Sequence, residues 1–436
     1  MSETPQPTRP THARRWMLSF TLAAMAIAYL DRICISTAAP AIKAELALSD
    51  AQMGYVFSAF TLAYALFEVP SGWLADRFGA RAMLTRIVLW WSAMTAATGA
   101  AAGFASLLAL RGLFGMGEAG VLPSITRAYG RWLPLRERGR AFGLTIMAGA
   151  VGGAVAQPLV VALLARISWR HAFPVFGAVG VAWAAAWFWW FRDDPGEHCA
   201  VNQAEAAQIG ADPETPRRAV PWSALARSRE LLALCAMYFG AIYGWYFYLT
   251  WLPTYLLRAR GFDLHAVGRL AALPLLAIAA GSLAGGAVSD WLARRFGARV
   301  GLRAPGLVGL PLAALAILGA VSTADPLSAA CLLAGAAGLA ALGVAPAWAA
   351  CLSLGGPHAG VVSGAMNSFG NLGGMLSPVV VGWSLDAGRS WETPLYTVAA
   401  GYLLAAACWL RIDPLARIDG GACGAGSPAS QIAPSP

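Results

Sequence analysis

The sequence predicts an all-α integral membrane protein with twelve transmembrane helices in two six-helix halves. Hydrophobic residues make up 58% of the chain and charged residues only 12%, about half the charged fraction of a soluble domain. Twelve apolar runs are each close to the roughly 20 residues that a helix needs to cross a bilayer. No run has the alternating pattern of a membrane β-strand, so we expect the spans to be helices.

The apolar runs fall into two groups of six, which we number in order as spans one to twelve. The N-terminal half, 16–191, contains runs at about 16–40, 52–75, 83–103, 105–128, 138–165 and 171–191. The C-terminal half, 231–411, contains runs at about 231–257, 265–293, 302–321, 326–350, 358–386 and 392–411. The polar ends, 1–15 and 412–436, predict disordered tails, and 192–230 predicts a flexible linker between the halves.

The distribution of basic residues predicts on which side of the membrane the ends lie. Most of the 31 Lys and Arg residues flank the spans on the side of both termini and the linker. The positive-inside rule therefore predicts cytoplasmic termini in a multi-pass protein of the cell (inner) membrane. The formal charge of +9 is explained in this way, and no nucleic-acid partner is expected because no nucleic-acid-binding motif accompanies it.

The chain lacks the usual marks of a metal site or an enzyme. Its seven cysteines include no C-x-x-C pair and mostly lie in apolar runs, so they predict neither disulfides nor metal ligands. A G-x-G-x-x-G match at 115–120 follows no strand, and its small residues instead favour close helix packing. We therefore expect no enzyme, no catalytic residue and no metal.

A motif after the second span of each half reveals an internal repeat. Gly72-Trp-Leu-Ala-Asp76-Arg77-Phe-Gly79-Ala-Arg81 has a counterpart that runs from Gly286 through Asp290 to Arg299. We interpret it as a cytoplasmic latch with these gating residues: Gly72, Asp76, Arg77, Gly79, Arg81 and Asp290. A helix C-terminus is unfavourable for an anion, so Asp76 needs a cationic partner, either Arg77 or the basic cluster at 131–140. The alternative is a simple tight turn flanked by arginines.

Four ionisable residues inside spans are the strongest functional candidates. Asp31 and Arg32 lie in span one within Tyr29-Leu-Asp-Arg, and Arg111 and Glu118 lie seven residues apart on one face of span four. Such residues are costly in lipid, so they face the protein interior or an aqueous cavity. The alternatives are two structural salt bridges, or a signal peptide that ends near residue 41, which the charges disfavour.

Polar residues in other spans are weaker candidates for substrate contact. They are Tyr64 in span two, Gln157 in span five, and Asn367 and Asn371 in span eleven. Hydrogen bonding between helices is an equal alternative for the amides. Glu68, near the cytoplasmic end of span two, is better suited to a gate. In span seven we expect Tyr243 or Trp245 to line the cavity.

The twelve spans and the repeated Gly-x-x-x-Asp motif with basic residues after it resemble the major facilitator superfamily. Tyr29-x-Asp31-Arg32, the span-four stretch from Arg111 to Glu118, and Trp251-Leu-Pro-Thr-Tyr are similar to its anion:cation symporter family. The resemblance implies import of an organic anion (a sugar acid, an aromatic acid or a dicarboxylic acid) with protons. It implies that Arg32 binds the anion, that Tyr29 and Tyr64 contact it, and that Asp31 and Glu118 titrate.

The residues themselves support a coupling hypothesis. Arginine is permanently charged and offers a planar fork that suits a carboxylate. If Asp31 or Glu118 takes up a proton, an arginine that was paired with it, Arg32 or Arg111, becomes free for the substrate anion. No cofactor is then needed beyond a proton gradient as driving force, and we expect the protein to work as a monomer.

Other functions remain possible from the sequence. An organic-anion exchanger or a drug-efflux antiporter would share the fold, although span five lacks the G-x-x-x-G-P-x-x-G-G motif of drug antiporters. A non-transporting membrane sensor would need a signalling domain, and no segment is long enough. An intramembrane enzyme would need a nucleophile or a metal site between the spans.

Overall fold

The structure is a computed structural model that describes residues 10–209 and 222–416, except for the side chains at 69, 76, 135, 136, 222 and 357. The predicted tails at 1–9 and 417–436 and the linker at 210–221 lie outside the described residues. The N-terminal half contains α1 (Ala13–Leu46), α2 (Asp50–Thr98), α3 (Phe104–Glu118), α4 (Val121–Trp132), α5 (Leu135–Leu164) and α6 (Trp169–Trp190). The connecting segment contains a 3-10 turn (Pro195–Glu197), α7 (Gln203–Ile209) and α8 (Trp222–Arg227).

The C-terminal half repeats the same pattern of helices. It contains α9 (Arg229–Thr250), α10 (Leu252–Arg258), α11 (Leu264–Leu270), α12 (Ala272–Phe296), α13 (Ala298–Ser322), α14 (Pro326–Ala341), α15 (Val344–Gly355), α16 (Ala359–Asp386) and α17 (Glu392–Trp409). Hydrogen-bonding side chains cap the N-termini of several of these helices, because the first amides of a helix have no partner within it. Ser228, Asp263 and Asp325 each accept a hydrogen bond from an amide of the first turn.

The described residues form twelve spans, in agreement with the predicted fold class. Eight helical segments are long and apolar enough to cross a membrane when judged by length and composition. The two arms of α2, together with α16 and α17, complete the set of spans two, three, eleven and twelve. Because the number of crossings is even, both ends of the described chain lie on one side of the membrane, which we call the terminal side.

The internal repeat is visible in the backbone as well as in the sequence. Gly79 separates spans two and three with φ 82° and ψ 162°, and Gly297 separates spans eight and nine with φ 91° and ψ 156°. These dihedral angles suit glycine, because a side chain at positive φ is strained. Spans four and ten are likewise both interrupted near a glycine, at Gly120 and Gly343.

The connecting segment differs from the flexible linker that the sequence predicted. Glu205 of α7 is fully buried, and its carboxylate accepts hydrogen bonds from Thr11 Oγ1 (2.6 Å) and from the amides of Ala13 (3.2 Å) and Arg14 (3.1 Å). A carboxylate at a helix N-terminus is favoured by the exposed amides and by the helix dipole. The first part of the segment and the end of the predicted tail are therefore docked on the N-terminal half.

The two halves meet mainly along α2 and α16, which run side by side. Asp386 Oδ1 and Oδ2 accept the amides of Asp50 (2.8 Å) and Ala51 (2.9 Å) at the end away from the termini. Ser58 Oγ then donates to Met375 O (2.6 Å), and this hydrogen bond lies closer to the middle of the membrane. Within the described part of the chain, the hydrogen bonds between the halves end at Glu68 and Asn367, on the way to the terminal side.

Candidate substrate site

Arg32 forms a buried ion pair with Glu118 that joins span one to span four. Its Nε and Nη2 atoms donate to Glu118 Oε1 at 2.6 and 2.5 Å. The Glu118 side chain is completely buried, whereas the Arg32 side chain is 14% exposed. Arg32 is therefore the member of the pair that a solute can reach.

Three aromatic rings surround the Arg32 guanidinium. Its central carbon lies 5.1 Å from the ring centroid of Tyr29 and 5.0 Å from those of Phe60 and Tyr64. Aromatic faces attract a cation and partly replace its hydration shell. The rings thus stabilise the charge between the helices and leave its hydrogen-bonding edge for anions.

Arg111 lies next to this pair but does not bond to a carboxylate. Its Nη2 atom donates to the backbone carbonyl of Arg32 at 3.1 Å, and its guanidinium lies 5.0 and 4.6 Å from the rings of Phe60 and Phe114. The buried Nε atom has no hydrogen-bond partner among the described residues. This close approach of α3 to α2 needs Gly115, where an added Cβ would lie 2.3 Å from Phe60 O.

Asp31 occupies a different environment from its neighbour Arg32. Only 1% of Asp31 is exposed, and neither carboxylate oxygen has a hydrogen-bond partner in the described residues. Glu118 Oε2 is in the same situation. Burying an unpaired charge is costly. A bound proton would therefore be favourable on Asp31, whereas the charge of Glu118 is balanced by Arg32.

A small cavity between the two halves borders the ion pair. It is lined by Arg32, Phe57, Phe60, Arg111, Tyr246, Leu249 and Thr250, which come from α1, α2 and α3 of one half and α9 of the other. Its volume is about 20 Å³, which is enough for about one water molecule. An organic anion could enter only if the halves moved apart.

The other predicted contact residues lie outside the lining of this cavity. Gln157 Oε1 accepts a hydrogen bond from Thr37 Oγ1 at 2.7 Å, and its Nε2 atom has no partner among the described residues. Asn367 Nδ2 donates to both oxygens of Glu68, at 3.2 and 3.1 Å, and so connects the halves. Asn371 is buried, and its Nδ2 atom has no partner in the same set of residues.

The predicted gating residues lie at the turn between spans two and three and in α12. Asp193 Oδ1 accepts hydrogen bonds from the amides of Ala80 (2.6 Å) and Arg81 (3.2 Å). This aspartate therefore caps the N-terminus of span three. The Arg81 side chain donates to Phe188 O at 2.9 and 2.7 Å.

The remaining described motif residues, Arg77, Gly72 and Asp290, have different surroundings. Arg77 lies over the rings of Trp73 and Phe78. Gly72 faces Pro123 at ordinary contact distance, and Asp290 is exposed. The side chain of Asp76 lies outside the described part of the structure, so its predicted partner stays a prediction.

Sequence reasoning missed five residues of the cavity, and the prediction for span seven was wrong. The hydroxyl groups of Tyr243 and Thr397 share a hydrogen bond of 2.9 Å within the C-terminal half, and Trp245 borders a second cavity in that half. Tyr246, Leu249 and Thr250 line the site instead. Their i, i+3, i+4 spacing places them on one helix face, and the spacing of Phe57, Phe60 and Tyr64 does the same in span two. Several faces of these spans are equally apolar, so the sequence alone did not show which face lines the cavity.

Comparison with known proteins identifies the family. A family model described as Major Facilitator Superfamily matches residues 21–378. The chain belongs to this superfamily. Among solved structures, a bacterial homologue of the human lysosomal transporter Spinster, in an inward-facing and unoccupied conformation, superimposes with a TM-score of 0.71 and 21% identity. The match covers 92% of this chain and 95% of that chain, and it supports the fold.

Related proteins carry names of organic-acid transporters. A "probable sulfoacetate transporter" of Cupriavidus necator is 38% identical over 400 residues, which cover 90% of this chain and 92% of that protein. A "D-galactonate transporter" of Escherichia coli is 31% identical over 420 residues, which cover 92% of this chain and 96% of that protein. The predicted membership of the superfamily, the multi-pass membrane architecture and the expectation that the chain is a transporter and not an enzyme are confirmed.

Proposed function

We propose that this protein imports an organic anion together with protons by alternating access. The observation that carries the proposal is the buried Arg32–Glu118 ion pair, which borders a cavity lined by both halves and adjoins the unpartnered carboxylate of Asp31. A cation that borders the cavity beside protonatable carboxylates is what coupling of an anion to a proton requires. The names of the relatives support an organic acid as the cargo.

Coupling follows from competition for Arg32. In the empty site, the Glu118 carboxylate neutralises the guanidinium. A substrate carboxylate or sulfonate that binds Arg32 would face the Glu118 charge unless Glu118 first takes up a proton. Proton binding and anion binding therefore favour each other, and each is weak alone. Asp31 and Arg111 adjoin the pair and provide a second acceptor for a proton and a second cation.

Alternating access follows from the arrangement of the halves. Their hydrogen bonds extend from Asp386 at one end of the interface to Glu68 and Asn367. We propose that the halves rock about the cavity and exchange this closure for one on the terminal side, as in transporters with repeated halves. The latch motif at Gly79 would take part in that second closure. The distribution of basic residues supports cytoplasmic termini in the inner membrane, and the protein would work as a monomer.

The test is uptake into proteoliposomes that contain the purified protein. Radiolabelled sulfoacetate, succinate, D-galactonate and D-glucarate serve as probes, with and without an inward proton gradient. We expect at least one probe to accumulate against its gradient when protons flow inward, and an uncoupler to abolish this. Glu118→Gln, which cannot exchange the proton, is expected to bind the anion but to lose accumulation.

Two results would contradict the proposal. Accumulation that is unaffected by the uncoupler, or that requires an anion inside the vesicle, would make the protein an exchanger. Proton-driven accumulation that is equal in Glu118→Gln and in the unmodified protein would remove this carboxylate from the coupling. Asp263→Asn is the matched control, because the Asp263 side chain caps the N-terminus of helix α11.

A further inference from the structure

Two arginines border the central cavity, but only one of them is neutralised by a hydrogen-bonded carboxylate. Arg32 binds Glu118 through two nitrogen atoms. Arg111 donates instead to the carbonyl of Arg32, and its Nε atom has no partner among the described residues although 93% of the residue is buried. A buried arginine with a free nitrogen beside a cavity is a position where an anionic group can bind.

The charges at the site suggest the charge of the substrate. Arg32 and Arg111 contribute two positive charges, and Asp31 and Glu118 contribute two negative charges in the step of the cycle at which both carboxylates are ionised, so the site is neutral at that step. The other titratable groups facing it are Tyr29, Cys34, Tyr64, Glu68 and Tyr246. The tyrosines and the thiol are neutral, and Glu68 already accepts the amide of Asn367. When two protons have bound the carboxylates, two negative charges are needed to restore neutrality.

With both carboxylates protonated, a substrate with a single negative charge would leave one positive charge of the buried site uncompensated, which is strongly unfavourable. A substrate with two acidic groups would pair both arginines. The two guanidinium groups share the ring of Phe60, which lies 5.0 Å from each of their central carbons. The two acidic groups would therefore bind guanidinium groups whose central carbons are no farther apart than these two distances together.

The remaining walls of the cavity determine what lies between the acidic groups. Besides the arginines, Phe57, Phe60 and Leu249 are apolar, and the only polar side chains of the described lining are Tyr246 and Thr250. The Thr250 hydroxyl already donates to the carbonyl of Tyr246 at 2.5 Å. A chain with several hydroxyl groups would lose hydrogen bonds with water and find few partners here. The walls instead match a short backbone of methylene groups.

We infer that the substrate is a compact dianion, with two acidic groups on a short backbone without hydroxyls, and that Arg111 binds the second acidic group. The inference rests on the proposed function and narrows its substrate class. The relative named a probable sulfoacetate transporter agrees with it, since sulfoacetate has a sulfonate and a carboxylate on one methylene group.

The experiment compares probes that differ in one property at a time. Succinate and succinamate have the same length but carry two and one negative charges, and succinate and D-glucarate both carry two charges but differ in hydroxyls. Binding is measured by competition with radiolabelled sulfoacetate on the purified protein. We expect succinate to compete at least about tenfold better than succinamate, because the second acidic group gains a charged hydrogen bond. We also expect succinate to compete better than D-glucarate and D-galactonate.

Arg111→Gln tests the residue itself. Its expected effect is to reduce the preference for succinate over succinamate to about twofold or less. Arg86→Gln, at an exposed position of span three, is the control and should keep the preference. If Arg111→Gln does not fold, the test is made on the unmodified protein instead, by measuring whether succinate uptake moves net charge across the membrane. Succinate uptake with two protons moves no net charge, so an imposed membrane potential should not change its initial rate.

The outcomes separate this inference from the proposed function. Proton-driven uptake that prefers D-galactonate or succinamate to succinate would overturn the compact dianion and leave proton symport standing. Equal discrimination in Arg111→Gln and Arg86→Gln would overturn the role of Arg111. If no probe accumulates with protons, the proposed function fails first.

Discussion

Asp31 and Arg32 are adjacent in the chain, yet they have opposite surroundings. Consecutive residues of a helix point about 100° apart. Arg32 therefore faces Glu118 and three aromatic rings at the cavity, while both oxygens of Asp31 are buried without a hydrogen-bond partner in the described residues. In the proposed mechanism, Arg32 would hold the anion and Asp31 would hold a proton.

The Arg32→Lys variant should bind the transported anion more weakly by about tenfold or more, because a charged hydrogen bond is lost. An ammonium group cannot present the fork of Nε and Nη2, and it fills the space between the three rings poorly. Competition with radiolabelled sulfoacetate on purified protein measures the effect.

Arg86→Lys at an exposed position is the control for that substitution and should bind normally. Equal affinity in Arg32→Lys and Arg86→Lys would mean that Arg32 does not contact the anion.

The elements of the two halves are joined by equivalent turns in different surroundings. Gly79 and Gly297 have nearly the same positive φ. An added Cβ at Gly79 would lie 2.6 Å from Asp193 Oδ2, which accepts the first amides of span three, whereas at Gly297 it meets nothing within 4 Å. One turn is therefore packed against the end of span six, and the other is open.

Replacing each glycine with alanine should separate backbone strain from crowding. Both variants incur the strain of this positive-φ, extended conformation, about 1–3 kcal/mol. Gly79→Ala must also displace Asp193, so we expect it to lower the thermal unfolding temperature of the purified protein more than Gly297→Ala does. Equal shifts would show that the Asp193 contact contributes nothing.

The docked connecting segment contains a histidine, His198, whose hydrogen bonds hold its ring in the neutral form. His198 Nε2 donates to Trp190 O (3.0 Å), and Nδ1 accepts the amide of Ala200 (3.1 Å), which requires the neutral ring. Burial lowers the pKa of His198, with a further lowering from the positive charge of Arg192, while the hydrogen bond to Trp190 and the charge of Glu205 act in the opposite direction. Docking thus favours the neutral form.

Acidification should therefore release the segment. The pKa of His198 is lower when docked than when free, so its contribution to docking is complete above about pH 6.5. This contribution decreases as the pH falls toward the docked value. Hydrogen exchange in α7 should become faster over this range. His198→Gln should remove the dependence, and His265→Gln, at an exposed position, should keep it. An unchanged pH profile in His198→Gln would contradict this.

At the scale of the whole molecule, the closure between the halves depends on a helix cap that crosses the interface. Asp386, the last residue of α16, accepts the first two amides of α2 and so binds the N-terminus of span two to span eleven. Arg258 of α10 reinforces this end through an ion pair with Asp50 at 3.4 Å. The proposed rocking of the halves would have to break these bonds.

Asp386→Ala should loosen this end of the interface. Loss of a helix cap costs about 1 kcal/mol, so hydrogen exchange at the Asp50 and Ala51 amides should rise about fivefold. Asp325→Ala removes a cap within one half, where Asp325 Oδ2 accepts the Ser328 amide at 2.8 Å, and should leave exchange at Asp50 unchanged. Equal acceleration at Asp50 in both variants would argue against a specific closure by Asp386.

The four ionisable residues of spans one and four, the twelve spans and the repeated motif were all predictable from the sequence. Hydropathy and buried charge are properties of the chain itself, because any charge in lipid is costly wherever the helix lies. The docked position of Glu205 was not predictable, since a short acidic helix in a polar segment has the composition of a linker.

The rotation of each helix about its axis was decided only by tertiary packing. It determined that Glu118 pairs with Arg32 while Arg111 keeps a free nitrogen, that Tyr246 and not Tyr243 reaches the cavity, and that Asn367 meets Glu68. In a span that is apolar on every face, no local pattern distinguishes the side that faces a partner helix from the side that faces lipid. The sequence thus determined which residues carry charge into the membrane, and the packing of the helices decided which of those charges meet.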